Sequence, residues 1–251
     1  MDLSPRSAKI AQPRKERSHT PKAWRQPARF SEMHRITGGI WTSTPWLHSL
    51  TQHLGEQEVR RRLWHFSPGV LALALTIVPH RETIRFWVML LIVICGIFLP
   101  AWAALRHQRA CQRRTGENLA PSILGYVIPV SILALLFRSH VEIPLTVTAM
   151  IAFGDGSATL LGLLAGRSKL PWNSRKSWAG LCAFLAVGTL MTPTVYWLAA
   201  HGSVTFSEAV LYLIPVVVLC SVVETLPLKL NDNLTVGFAA SVLLVLMQFW
   251  M

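Results

Sequence analysis

Residues 151–180 read IAFGDGSATLLGLLAGRSKLPWNSRKSWAG. Asp155 stands between Gly154 and Gly156 inside a run that is otherwise apolar enough to lie in a bilayer. A carboxylate at that depth is costly, and the default reading of one is functional. The run then gives way to Arg167, Lys169, Arg175 and Lys176, and Ser177 opens another apolar run. An acid in an apolar segment followed by a basic loop offers one place for a metal and another for phosphates. Ser177 is placed to cap the next helix, whose first N–H groups and partial positive charge suit an anion. The GxxxxGK[ST] pattern of a P-loop is absent. Gly162 and Gly166 form a GxxxG pair, read as close helix packing.

Outward from this stretch the same apolar character continues. Of 251 residues, 52% are hydrophobic and 14% charged, against about 25% charged in a soluble domain. Seven runs approach the ~20 residues a spanning helix needs, near 63–79, 84–105, 119–137, 141–166, 177–200, 205–223 and 233–250. The expected fold is therefore all-α, a polytopic integral membrane protein with about seven transmembrane helices. It divides into a basic tail over 1–62 and a transmembrane domain over 63–251. Residues 1–39, with Pro5, Pro13, Pro21 and Pro27 among polar and basic residues, read as disordered. Trp46, Leu47, Leu50 and Leu54 have the spacing of a short interfacial helix, with a plain linker as the alternative. No signal peptide is visible, and Asp2, Glu16 and Glu32 speak against a transit peptide.

Charge sorts by loop. Of the 24 Lys and Arg residues, 21 fall in the tail or in the loops 106–118, 167–176 and 224–232, and the remaining three are Arg81, Arg85 and Arg138. The positive-inside rule puts the N-terminus and these loops in the cytoplasm and, with seven spans, the C-terminus on the opposite side. The net charge of +12 thus reads as topology and attraction to anionic lipid, not nucleic-acid binding. Cys95, Cys111, Cys182 and Cys220 have no metal-ligand spacing. Tryptophans near the span ends, Trp64, Trp87, Trp102, Trp178, Trp197 and Trp250, read as an interfacial belt.

The topology gathers further polar residues on the cytoplasmic face. Glu224 ends one span, and Asp232-Asn233 opens the last, where either residue fits an N-cap. Carboxylates converging with a basic loop are how Mg²⁺-nucleotide sites are built. Arg61, Arg62 and His65 lie at the start of the first run. Arg61 and Arg62 also fit a headgroup anchor, and His65 a hydrogen-bonded structural role. Glu117 and Asn118 are weaker candidates of the same kind. For Asp155 itself metal binding, proton transfer and a structural ion pair all stay open.

At this point the residues match a family. GDGSATLLGLLAGRSKLPWNSRKSWAG resembles the central motif of the CTP-dependent polyprenol kinases, which include dolichol kinase and phytol kinase. VETLPLKLNDNLTV is similar to that family's closing motif, and RRLWHFSPG to its early Arg-Lys-x-x-His-x-x-x-Gly element, with Arg62 where Lys is usual. Gly116-Glu117-Asn118 is a looser match. The resemblance spans about residues 60–250. It implies a nucleotide site on Asp155, Lys169, Lys176, Ser177, Gly180, Glu224, Asp232 and Asn233, with CTP as donor and UTP as the second choice. Leu181 stands where the family's loop often has Ser, and Gly237 follows Thr235-Val236 where Pro is common.

The function expected is transfer of the terminal phosphate of CTP to an isoprenoid alcohol such as phytol or dolichol, with membrane lipid around the site. Asp155 with Asp232 or Glu224 would hold Mg²⁺. Lys169, Arg175 and Lys176 would hold the phosphoryl, and a carboxylate would accept the hydroxyl proton. Two rivals remain. A phosphatidate cytidylyltransferase also pairs an intramembrane Asp-Gly with a Lys-Ser-x-x-Gly loop, but the ETLPLKLNDN ending favours the kinase. A transporter would show paired inverted repeats, and none is visible.

Overall fold

The computed structural model describes residues 45–77, 84, 86–106 and 120–248. All of these but Pro45 fall in one compact unit that begins at Trp46. Its elements in chain order are α1 (Pro45–Leu54), α2 (Glu56–Leu75), α3 (Phe86–Val93), a π turn (Ile94–Phe98) and α4 (Leu99–Arg106). Then come α5 (Ala120–Leu136), α6 (Glu142–Ala149), a second π turn (Met150–Asp155) and α7 (Gly156–Ala165). Two strands follow, β1 (Lys169–Leu170) and β2 (Asn173–Ser177), and then α8 (Trp178–Ala199), α9 (Phe206–Thr225) and α10 (Asp232–Gln248).

Each of the seven apolar runs is helical over most of its described length. Among the described residues, three helices are long and apolar enough to cross a membrane: Glu142–Ala165, Trp178–Ala199 and Phe206–Thr225. The apolar helices Ala120–Leu136 and Asp232–Gln248 are shorter. The first run does not start at 63. Its helix starts at Glu56 and runs unbroken through Arg61 and Arg62, because Glu56 and Glu58 suit a helix N-terminus and Glu58 and Arg62 pair one turn apart. The expected short helix, as opposed to a plain linker, is present as Pro45–Leu54. Gly55, at a φ of 82°, makes the break before α2.

An all-α fold has to be corrected at one place. The basic loop contains an antiparallel hairpin, with Lys169 opposite Ser177 and Leu170 opposite Asn173. Pro171 and Trp172 form its turn, and Leu170 is buried beneath it. Strands this short carry no periodic signature in sequence.

The core lies around the broken helix α6–α7. Met150, Ile151 and Val147 on it pack with Phe184 of α8, Leu213, Val216 and Val217 of α9, and Val236 and Ala240 of α10. Close approach is made by small residues. A Cβ on Gly69 of α2 would lie 2.5 Å from the Ala152 Cβ, and one on Gly180 of α8 would lie 2.8 Å from the Ala158 carbonyl oxygen. Gly162 faces Ser177 and Gly180 at the same crossing, so its packing role is as expected. Two caps fix helix starts. Ser177 accepts a hydrogen bond from the Gly180 N–H, and Thr205 with Glu208 forms a capping box on α9.

Candidate functional site

Asp155 closes the π turn of the central helix and is 3% exposed. A π turn widens the helix by one residue and recurs at functional sites. Here it presents the Ile151 carbonyl to His65, whose Nε2 lies 3.1 Å away. The same Nε2 is 3.4 Å from Asp155 Oδ2. A carbonyl only accepts, so this nitrogen carries the proton. Gly156 makes the approach possible, since a Cβ there would meet the His65 ring at 2.9 Å. Tyr126 packs edge-on to His65 and donates its hydroxyl to the Thr148 carbonyl. His65, a candidate from sequence, is thus placed directly beside Asp155.

Glu224 and Asp232 arrive from the facing ends of α9 and α10. Carboxylate oxygens of Asp155, Glu224 and Asp232 all lie within 4.8 Å of one another. Glu224 is buried, whereas the Asp232 side chain is 47% exposed, so the cluster runs from the core to an open edge. Lys176 enters from β2. Its Nζ donates to Glu224 Oε1 at 2.5 Å and to Asp232 Oδ2 at 2.6 Å. Burial alone would lower the pKa of this ammonium, but the carboxylates of Glu224, Asp155 and Asp232 together outweigh it and hold the group above its ordinary value. Lys176 is therefore a fixed positive charge.

The hairpin is tied down so that Lys176 points at the acids. Trp172 Nε1 donates to Thr225 Oγ1 and Asn173 Nδ2 to the Thr225 carbonyl, one residue after Glu224. Ser177, buried, spends its oxygen on the α8 cap, and Gly180 serves the packing of α8 on α7. Lys169 and Arg175 are exposed on the hairpin, and neither reaches a carboxylate among the described residues.

The start of α10 differs from the expectation that Asp232 or Asn233 caps it. Asn231 is the cap: its Oδ1 accepts from the Asn233 N–H, and its Nδ2 donates to Ser122 Oγ. Asn233 Nδ2 in turn donates to the Ser122 carbonyl. Asn233 is thus spent on joining α10 to α5. Asp232, the first residue inside the helix, is released from capping and faces Lys176. Arg62 is buried and paired with Glu58 at 2.8 Å, beside the site and not in the cluster. Glu117 and Asn118 lie outside the described residues.

Sequence reasoning missed Glu58, Ser122, Trp172, Asn173, Thr225 and Asn231. Only Glu58 left a clear signal, its i,i+4 spacing to Arg62. The others act through contacts distant in sequence, or are capping residues in a row of equals.

A divalent cation fits this donor set. Three carboxylates supply hard oxygen ligands of the kind Mg²⁺ takes. Asp155 Oδ1 is also buried without a hydrogen-bond partner among the described residues, a costly state that a cation would relieve.

Similarity to known proteins points the same way. The chloroplastic phytol kinase 1 of Arabidopsis thaliana is 28% identical over 218 residues, covering 81% of this chain and 71% of that protein. A probable chloroplastic phytol kinase of Triticum aestivum is 28% identical over 221 residues, covering 81% and 72%. The chloroplastic farnesol kinase of Arabidopsis thaliana is 27% identical over 181 residues, covering 70% and 57%. No family model matches the chain, and no solved structure matches it. The chain is similar to these phytol kinases over about four-fifths of its length, in agreement with the resemblance read from its motifs.

Proposed function

We propose that this chain, which is similar to phytol kinases, is a kinase of isoprenoid alcohols. It takes CTP, with UTP as second choice, and works at the cytoplasmic face of its membrane. The supporting observation is the convergence of Asp155, Glu224 and Asp232 with Lys176, drawn from three helices and a hairpin into one cluster. Its relatives named phytol kinase and farnesol kinase supply the acceptor class. The basic tail and loops would face the cytoplasm, with the C-terminus across the membrane.

In the reaction, the alcohol oxygen attacks the γ-phosphorus of CTP. The bond from that phosphorus to the β–γ bridging oxygen breaks, CDP leaves, and the hydroxyl proton passes to a carboxylate of the cluster. Asp155 and Asp232, with Glu224 beside them, would hold Mg²⁺, which neutralises phosphate oxygens when bound. Lys176 stabilises the transferring phosphoryl, and Lys169 and Arg175, on the open side of the hairpin, meet the outer phosphates. His65, anchored on the Ile151 carbonyl, sets its Nε2 3.4 Å from Asp155 Oδ2 and so helps to position that carboxylate. Catalysis of this kind is mainly positioning and charge neutralisation. The prenyl chain would lie along apolar helix surfaces, with its hydroxyl at the polar edge.

The test is a membrane assay with CTP and a panel of phytol, farnesol, dolichol and diacylglycerol, read by product mass. The expected products are CDP and a prenyl monophosphate. Formation of a CDP-lipid with pyrophosphate would make the protein a cytidylyltransferase, and flux of an ion without nucleotide would make it a transporter.

A further inference from the structure

Lys176 stands where a divalent cation would have to go. Its ammonium is bonded to one oxygen each of Glu224 and Asp232, two of the three carboxylates that can ligate a metal. The third, Asp155, keeps Oδ1 buried and unpartnered. A +1 ammonium and a +2 ion cannot share these oxygens without strong repulsion at such short range. Yet the ammonium is held there on a long, flexible stem, and the backbone beneath it is fixed separately, by Trp172 and Asn173 to Thr225. The side chain can therefore swing without disturbing the hairpin. What would draw it away is a stronger anion at the open edge, where Asp232 is half exposed.

We propose that the pocket accepts its divalent cation together with a nucleoside triphosphate and not alone, with Lys176 as the placeholder cation. In the resting protein Lys176 neutralises Glu224 and Asp232. An arriving metal-bound triphosphate exchanges partners with it: the ammonium moves to phosphate oxygens, and the freed carboxylates take the metal. The exchange conserves the charge pairing of Glu224 and Asp232, so neither of these two is left bare at any stage. Metal and nucleotide then raise each other's affinity by the same factor. The idea rests on the kinase reading for the triphosphate, but its test needs no lipid acceptor.

The experiment follows Mn²⁺ binding to the full chain in detergent by electron paramagnetic resonance. It is run with and without a CTP analogue carrying a methylene between the β- and γ-phosphorus, with protein-bound Mn²⁺ scored against protein-free samples of the same analogue, which chelates Mn²⁺ by itself. For the wild type, Mn²⁺ alone should bind weakly, and the analogue should tighten it at least about tenfold, the effect of roughly one extra charge pair. Lys176→Met should bind Mn²⁺ alone at least about tenfold more tightly than wild type and lose most of the gain from the analogue. Lys176→Arg, which keeps the charge, should retain weak binding of the metal alone. Equal wild-type affinity with and without the analogue overturns the proposal, as does a folded Lys176→Met that binds Mn²⁺ no better than wild type. Should Lys176→Met not fold, the wild-type pair of measurements decides by itself. Failure of the kinase reading shows elsewhere, as absence of a lipid monophosphate in the membrane assay. A cytidylyltransferase would still show the metal–nucleotide coupling.

Discussion

The helices Glu142–Ala165 and Phe206–Thr225 are similar in length, and the second is the more apolar, yet the first is 67% buried in its apolar window and the second 33%. The less apolar helix is the one the protein hides. A helix facing lipid must offer hydrocarbon, whereas one surrounded by other helices can carry Thr146, Thr148, Asp155 and Ser157 if they find partners. Three of these four do, or face the cluster: Thr148 bonds Pro144, Ser157 bonds Gly154 and Ala183, and Asp155 meets His65. Thr146 finds none among the described residues. The buried helix also breaks its regular turn at 150–155, and Phe206–Thr225 runs as one regular α-helix. The most buried acid of the cluster, Asp155, sits on the central helix, and the peripheral one contributes its end, Glu224.

Substitutions break this contrast in order of expected size. Asp155→Asn keeps shape and removes charge, so phosphorylation of a prenyl alcohol should fall by on the order of a thousandfold while the protein still inserts and accumulates. Near-normal turnover in that variant would take Asp155 out of the mechanism. Gly69→Val adds atoms where a Cβ is already 2.5 Å from Ala152. Overpacking of this kind costs about 1–3 kcal/mol, so the variant should melt early in detergent, and a melting curve like the wild type's would contradict the close α2 contact. Asn231→Ala removes the α10 cap, at about 1 kcal/mol. It should also cut activity by more than that loss of stability explains, because Asp232 is then free to cap the helix instead of facing Lys176. Asn231→Ser, which can still cap, should restore most of both. Leu211→Ala, on the exposed side of Phe206–Thr225 at 71% exposure, should shift stability by less than about 0.5 kcal/mol, and a large shift there would mean this face packs against protein.

The parts legible in sequence were those with strong local signatures. Apolar runs gave the helices, an acid at membrane depth singled out Asp155, and a Ser before an apolar run placed the α8 cap. The acids of the two motifs could be grouped because loop charges put both on one face. Which basic residue would reach them was not legible. Arg167, Lys169, Arg175 and Lys176 are one charge run in sequence, and only the hairpin register turns Lys176 inward while leaving Lys169 and Arg175 outside. Asn231-Asp232-Asn233 offered three residues able to cap a helix, and the choice among them depends on where the backbone enters α10 and on Ser122, more than a hundred residues away. The π turn left no sequence mark; the glycines at its end, Gly154 and Gly156, meet Phe184 of α8 and His65 and Phe66 of α2.

The central claim is that acids and lysine together move a terminal phosphate onto an alcohol. Membranes holding the wild-type chain, given phytol or farnesol and CTP labelled at either the γ- or the α-phosphorus, test it most directly. The account predicts lipid label from γ-CTP alone, absent from the Asp155→Asn membranes. Lipid label from α-CTP, or none from either, would contradict it.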